Sequence, residues 1–329
     1  VAERADVAIS SVSRVLTGHP DVRPQMRARV MAAVAELEYE PDCLAQSLRR
    51  GQTLSVGFVV GDISNPMLSS FVHGAESELR KAGYSLLLMD SESDPALDVR
   101  SISFFETRRV DGMLLSLVSE SAPGLLPALR QVRVPVVLVD REVPDDIGAS
   151  SAQSDHASGM LEAARHLIGL GHRRIALING PSDIAPGRAR ERGLRLAVED
   201  QHRGIEATVV AGSLSPEHGS LATRELLDGA NPPSAIICGG NQLLAGCLRV
   251  LNERGIQVGR DLSLVTCDAV PVSELFRPRI ATITRDAGEV GRCAAELLMR
   301  RLRDASDREN VVLPTSFEPT DSCAPPASR

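Results

Sequence analysis

VAISSVSRVL, Val7 to Leu16, is the stretch on which the reading of this chain turns. Val12, Val15 and Leu16 stand at i, i+3 and i+4, so a helix here carries one apolar face that packs inward. Ile9, Ser10, Ser13 and Arg14 lie off that stripe and face outward, with Ser11 beside them. VAERA (1–5) reads as a short preceding helix, and the joint Asp6-Val7-Ala8 is too short for a free loop. Two short helices joined this tightly make a helix-turn-helix, whose second helix can enter a DNA major groove. Arg can bond guanine at two points, and Ser can serve base or backbone. The same ten residues also fit an ordinary amphipathic helix with a solvated polar face, so the neighbouring sequence has to decide.

Downstream, TGHPD (17–21) is a breaker cluster. Pro24 suits a first helical position, and MRARVMAAVAELEY (26–39) reads as a third helix striped by Met26, Val30, Ala33, Val34 and Leu37. The three helices close a core of about 40 residues, marginal on its own. Beyond Pro41, DCLAQSLRR (42–50) can form a short helix with Asp42 as its cap and Gly51 as its stop. A helix that short needs DNA or a partner to fold. The chain starts at Val1 rather than Met, so the first helix is expected to lack its capping turn.

Composition narrows the class. The chain has 329 residues, enough for two or more domains, with 43% hydrophobic residues, 2% aromatics and no Trp. Lys81 is the sole lysine, so Arg carries the positive charge. Net charge is −7, and the first 53 residues hold seven Arg against seven acids, so charge alone does not argue for nucleic acid. Cys43, Cys238, Cys247, Cys267, Cys293 and Cys323 form no C-x-x-C pair, which argues against a metal site or a disulfide framework. No apolar run reaches membrane-span length and no secretory pattern opens the chain, so a cytoplasmic protein is expected.

From Thr53 the texture changes. LSVGFVV (54–60), YSLLLMD (84–90), GMLLSL (112–117), PVVLVD (135–140), RIALIN (174–179), SAIICG (234–239) and LSLVTC (262–267) read as strands separated by amphipathic helices. That alternation implies parallel sheets covered on both faces, here two doubly wound lobes with ligands bound at strand carboxyl ends between them. Asp140 and Arg141 end one such strand and Asp268 another. A surface turn is the competing reading for the first two. Asn241 follows Gly239-Gly240 and opens a helix, so it is either a ligand contact or a helix cap; Asp155 poses the same choice.

With these features in view, the chain resembles the lactose-repressor (LacI/GalR) family of transcriptional regulators. V-S-R-V-L (12–16), the L-x-Y-x-P of Leu37, Tyr39 and Pro41, and the A-x-x-L of Ala45 and Leu48 carry the likeness in the headpiece and hinge. DISNPM (62–67), RRVDGMLL (108–115), PVVLVDR (135–141), GHRRIALINGP (171–181), RERG (190–193) and LSLVTCD (262–268) carry it in the core. Asp6, Ala8, Cys43 and Leu44 depart from the usual pattern.

The resemblance implies a multidomain chain: an all-α helix-turn-helix headpiece (1–40), a hinge (41–52), and a two-lobed α/β periplasmic-binding-protein-like core (53–321) with doubly wound parallel sheets, then a tail (322–329). One lobe takes about 53–152 and 284–313, the other about 153–283 and 314–321. It implies DNA contacts from Ile9, Ser10, Ser11, Ser13 and Arg14, and a minor-groove wedge at Leu48 with Ala45 on the same face. It implies effector contacts from Asn65, Met67, Asp140, Arg141, Asp155, Arg190, Asn241 and Asp268. Arg188 and Arg192 are expected in solvent. Gln242 and Arg285 stand where aspartate and glutamine are usual, which tilts the pocket from a neutral sugar toward an anionic ligand such as a sugar phosphate. The expected partners are double-stranded operator DNA, a sugar, sugar phosphate or nucleoside-like effector, and a second copy meeting through 65–82 and 99–108. No cofactor is called for.

The expected function is therefore a ligand-responsive repressor of carbohydrate or related catabolic genes, dimeric on a palindromic operator. Three alternatives compete. A sugar sensor with too short a headpiece for DNA would keep only the core. A hydrolase could use Asp140 and Asp268 as acid and base, but no nucleophile elbow or phosphate loop accompanies them. A solute-binding protein would leave the first 50 residues unexplained.

Overall fold

Residues 1–16, 19–39, 51–200 and 204–326 are described by a computed structural model, in which the chain divides into two units, Val1–Thr53 and Leu54–Arg329. The expected hinge helix at 42–50, with Ala45 and Leu48, lies outside the described residues, as do Thr17 and Gly18 of the breaker cluster.

In the first unit VAERA forms one hydrogen-bonded turn and not a helix: Ala5 N–H donates to Val1 O at 2.9 Å. The turn closes where Asp6 enters the left-handed region at φ 50°, with Asp6 N–H to Glu3 O and Val7 N–H to Ala2 O both at 3.1 Å. This is the paired-bond helix ending for which glycine is the usual residue. Helix α1 (Ile9–Leu16) then buries Val12 and Val15. Helix α2 (Pro24–Glu36) starts on Pro24 and buries Val30 and Ala33 against them, together with Ala5. It ends earlier than expected. Glu38 turns left-handed at φ 45°, so Leu37 leaves the stripe and is half exposed. From α2, Arg29 ties the Asp6 corner down, donating to Ala5 O at 3.1 Å and Asp6 O at 2.6 Å.

The second unit begins with β1 (Ser55–Val60), α3 (Pro66–Lys81), β2 (Ser85–Asp90), α4 (Pro95–Arg108), β3 (Gly112–Leu115), α5 (Leu125–Gln131), β4 (Val136–Val139) and β5 (Ser150–Ser154). There follow α6 (His156–Gly169), β6 (Arg174–Asn179), α7 (Ala185–Glu199), β7 (Glu206–Ala211), α8 (Pro216–Asp228), β8 (Ala235–Cys238), α9 (Asn241–Glu253), β9 (Ser263–Cys267), α10 (Pro271–Leu275) and β10 (Ala281–Thr284). The chain closes with α11 (Ala287–Arg303), β11 (Asn310–Leu313) and β12 (Ser316–Glu318). All seven expected strands form. The structure adds β5, β7, β10, β11 and β12, which the apolar runs did not announce.

The strands make two six-stranded sheets, ordered β2-β1-β3-β4-β5-β11 and β7-β6-β8-β9-β10-β12. The first is parallel throughout; in the second, β12 runs antiparallel to β10, a departure from the purely parallel expectation. The two orders are the same doubly wound pattern, and each sheet reverses direction of winding at its second position, beside β1 and β6. The chain passes between sheets after β5, after β10 and after β11. On the second passage α11 returns to cover the first sheet and packs on α3. A Cβ on Gly291 would meet Phe71 O at 2.0 Å and one on Gly74 would meet Gly288 O at 2.0 Å, so both glycines permit the close approach.

Several strand-to-helix joints are built alike. Asn65, Asp94, Asp155, Ser215 and Asp286 accept hydrogen bonds from the first-turn amides of the helices they precede. These caps sit at strand carboxyl ends, where the polar groups of the cleft gather. No helix among the described residues is long and apolar enough to cross a membrane.

Candidate functional site

Asp140 follows β4 and Asp268 follows β9, the fourth strand of each winding. Both are left-handed, at φ 57° and 68°, and each donates its N–H to the next strand, at Ala152 O and Ile283 O. The two carboxylates meet one cation. Arg285 Nη1 lies 2.5 Å from Asp140 Oδ2, and its Nε lies 2.6 Å from Asp268 Oδ1. The guanidinium also reaches Ser154 Oγ at 3.2 Å and Met67 Sδ at 3.2 Å, over the Phe71 ring at 5.4 Å. His156 Nε2 adds contacts of 3.0 Å to both Asp140 oxygens. All four groups are buried.

Burial pushes the Asp140 carboxyl up, but Arg285 and His156 outweigh it and hold the group well below the usual carboxylate range. Asp268 follows the same balance, lowered by Arg285 and then Arg190 against burial. For His156, burial dominates and lowers the imidazole, only partly offset by Asp140. Burial would discharge Arg285, yet the two aspartates keep it firmly protonated. A charge so buried is stable only while its partners stay in place.

Around this centre the two sheets meet through further polar pairs. Asn241 Nδ2 donates to Asn65 Oδ1 at 2.8 Å, and Gln242 Nε2 to Asp62 Oδ2 at 2.8 Å. Ser119 Oγ donates to Asp183 Oδ2 at 2.5 Å. Glu120 accepts from Ala185 N–H at 2.8 Å and from Arg188 at 2.7 Å, and Glu142 takes Arg188 at 2.8 Å. Arg188 thus joins a bridge between the lobes while remaining exposed, and Arg192 is exposed as well, as expected of both.

Arg190, on α7, is 3% exposed, and its Nε and Nη1 are buried without a hydrogen-bond partner among the described residues. Its charge is felt at Asp268, His156 and Cys267, so it belongs to the same cluster. Native proteins rarely leave buried donors unpaired, and an orphan of this kind in a cleft marks a ligand position. Asn179 Oδ1, at the end of β6, is a buried acceptor likewise without a partner among the described residues. A cavity of about 550 Å³ opens beside Arg285, lined among others by Met67, Ser70, Asp268 and Ser316.

The other expected residues separate clearly. Asp140 and Arg141 are buried, so the surface-turn reading fails. Arg141 donates to Leu117 O and Asp140 O, bracing its own lobe. Asp155 caps α6 through Ser158 N–H at 3.1 Å and Ser158 Oγ at 2.6 Å. Asn241 is not a cap; Gly240 holds that place, and the Asn241 amide turns to Asn65. On α1, Ile9, Ser10 and Arg14 are exposed, Ile9 to 72%, and Ser11 and Ser13 are half-buried. An exposed isoleucine beside a hydroxyl and a guanidinium can meet a thymine methyl, base edges and phosphate.

Residues 1–42 match the lacI family of bacterial regulatory proteins, and residues 164–323 match a periplasmic binding protein-like domain. The ribose operon repressor of Escherichia coli (strain K12) is 32% identical over 303 residues, covering 92% of each chain. The chain belongs to the lacI family of bacterial regulatory proteins. This regulator is similar in structure to the lac repressor dimer bound to operator and the anti-inducer ONPF, with 26% identity, a TM-score of 0.86, and coverage of 98% of this chain and 97% of that one. It is also similar to a LacI family transcriptional regulator from Enterococcus faecium with bound ribose, at 27% identity and TM-score 0.71, covering 82% of this chain and 99% of that one. As a member of this family, the regulator is a ligand-responsive DNA-binding protein of transcription.

Sequence reading of the regulator did not find His156 as a site residue, and it took Arg285 as a charge offered to ligand. In the structure that charge is spent on two carboxylates. No local pattern marks either residue. The one usable signal was the repeated strand ending, L-V-D at 138–140 and T-C-D at 266–268, which puts equivalent aspartates at one level of two sheets.

Proposed function

We propose that the regulator binds a palindromic operator as a dimer through the exposed face of α1, and that a polar effector seated between its two sheets sets the affinity. The buried Arg190 guanidinium carries the effector half of this reading: two of its nitrogens have no hydrogen-bond partner among the described residues. A ligand oxygen at those nitrogens would recover the free energy that an unmade buried hydrogen bond withholds, about 1–3 kcal/mol each. Arg190, Asp268, Asn65, Asn241 and Met67 form the set that would touch it or close over it. The solved relative that holds ribose supports a sugar-like molecule, and the operator-bound relative supports the dimer. Effector and operator then compete or cooperate through the lobes, a coupling of about 1–3 kcal/mol. A protein that acts on chromosomal DNA works in the cytoplasm, and regulation rather than catalysis is its task.

The test is a footprint of the whole protein on the DNA upstream of its own gene, at stated salt, with and without sugars and sugar phosphates. A protected palindrome that one compound shifts is the expected result. No protection at any salt would leave only a sensor. On the protected site, Arg14→Ala should weaken binding by about 1–3 kcal/mol and relax specificity at one operator position. Undiminished binding would remove Arg14 from the interface.

A further inference from the structure

We propose that Glu120 is a positioning residue for the effector site: a carboxylate of the first lobe that caps helix α7 of the second, so that the helix carrying Arg190 is complete only while the lobes are closed on each other. This rests on the effector reading above, since Arg190 is the contact so held, but its test needs no effector.

Helix α7 has no cap of its own. Ile184 holds the capping position with an apolar side chain, and Pro186, in the first turn, has no N–H. Ala185 N–H is therefore a helix-end donor that has to find a partner elsewhere. That partner comes from the other lobe. Asn65, Asp94, Asp155, Ser215 and Asp286 directly precede the helices they cap, whereas Glu120 stands 65 positions before Ala185, in the loop between β3 and α5. Glu120 Oε1 accepts from Ala185 N–H at 2.8 Å and from Glu142 N–H at 2.9 Å, so one oxygen is tied to both lobes at once. Oε2 takes Arg188 at 2.7 Å. The Glu120 side chain is 8% exposed and that of Arg188 41%, so water screens the ion pair more than the cap. Beside it, Asp183 accepts from Ser119 Oγ at 2.5 Å and from Ser121 Oγ at 3.2 Å. From its own lobe the same turn is held by Asn179 Nδ2, which donates to Gly187 O at 2.9 Å. Residues 119–121 and 183–188 thus make one seam between the lobes. Parting the lobes breaks the seam, uncaps α7 and loosens Arg190 in its second turn; closing restores both. The Glu120 cap and an effector at Arg190 then favour the same closed arrangement.

The experiment is amide hydrogen exchange on the whole protein, with no effector added, in the wild type, Glu120→Ala and Glu120→Gln. Glutamine keeps an oxygen that can accept from Ala185 N–H and loses the charge offered to Arg188. Glu120→Ala should speed exchange in residues 183–190 and 118–122 together by about tenfold, the effect of a lost helix cap, while β1 and β6 keep wild-type rates. Glu120→Gln should stay within about threefold of the wild type, because only the exposed ion pair is lost. Unchanged exchange at 183–190 in Glu120→Ala overturns the proposal. So does acceleration confined to 118–122 and 140–143, which would make Glu120 a brace of its own lobe. Glutamine exchanging as fast as alanine overturns it too, since the ion pair and not the cap would then be the source. Should Glu120→Ala fail to fold, Ala185→Pro takes its place, deleting the donor at a first helical position that proline fits. Both segments should again exchange faster, and wild-type rates there would overturn the cap. A missing operator footprint or a silent sugar panel would count against the function proposed above and leave the exchange result standing.

Discussion

Asp140 and Asp268 sit at the same step of two sheets wound in the same order, share the same left-handed backbone and bind the same arginine, yet their surroundings differ. Asp140 is met by Ser154 N–H from its own sheet and by His156 from the start of α6, which packs on the second sheet, before Arg285 reaches it. Asp268 has Arg285 on one oxygen, feels Arg190, and lines the open cavity. One half of the repeated architecture therefore supplies an anchor and the other a contact surface. Arg285 links them, standing next to the strand of the second sheet while bonding a residue 145 positions earlier in the first.

The largest effect should come from Asp140→Asn. It strips charge from the anchor, leaving a buried guanidinium with one carboxylate, and breaking such a pair costs about 3–5 kcal/mol. Urea unfolding of the whole protein measures it, and a loss under about 1 kcal/mol would mean that the anchor holds little. The pH profile sharpens the point. Because the folded carboxyl is held low, its contribution is complete above the ordinary carboxylate range and drains away as pH falls toward the folded value. His156 acts in the same direction: burial lowers it, so the unfolded chain takes up its proton first and stability declines on acidification. Asp140→Asn should flatten the lower part of that acid limb.

Asp268→Asn should be milder for folding, about 1–2 kcal/mol, because Arg285 keeps Asp140 and only one charged hydrogen bond is weakened. Its larger consequence should be loss of the thermal shift produced by effector. If Asp268→Asn proved the more destabilising of the two, the assignment of anchor and contact would be reversed.

A third left-handed aspartate provides the smallest test. Asp6 ends the first turn with no carboxylate–arginine centre behind it, only an exposed partner in Arg29. Asp6→Gly removes the side-chain clash of that conformation and should stabilise the turn by about 1 kcal/mol, read as slower amide exchange in residues 1–16 of the whole chain. Faster exchange would show that the Arg29 contact outweighs the backbone strain, and that left-handed aspartates in this protein are held by their partners in both units.

How much of this was legible follows from where the free energy is local. Val12, Val15 and Leu16, and the seven apolar strand runs, declare themselves because burial of neighbouring side chains at a fixed period is written along the chain. The two aspartates could be found for the same reason, as endings of such runs. Strand β5 could not: SSAQS has no apolar rhythm, and its serines are buried because β4 and β11 flank it and Asn310 meets Ser151 at 3.0 Å. Nor could the short β10, β11 and β12, which exist only where earlier strands offer an edge. Leu37 was misread because a left-handed residue at Glu38 ended α2 early, a backbone event that the apolar stripe does not encode. The role of Arg285 lay furthest from view. Its residue type was visible, but whether a guanidinium is offered to a ligand or consumed by the protein depends on which carboxylates stand within 3 Å. That depends on two sheets meeting, since Coulomb attraction acts through space and carries no signature in the order of residues.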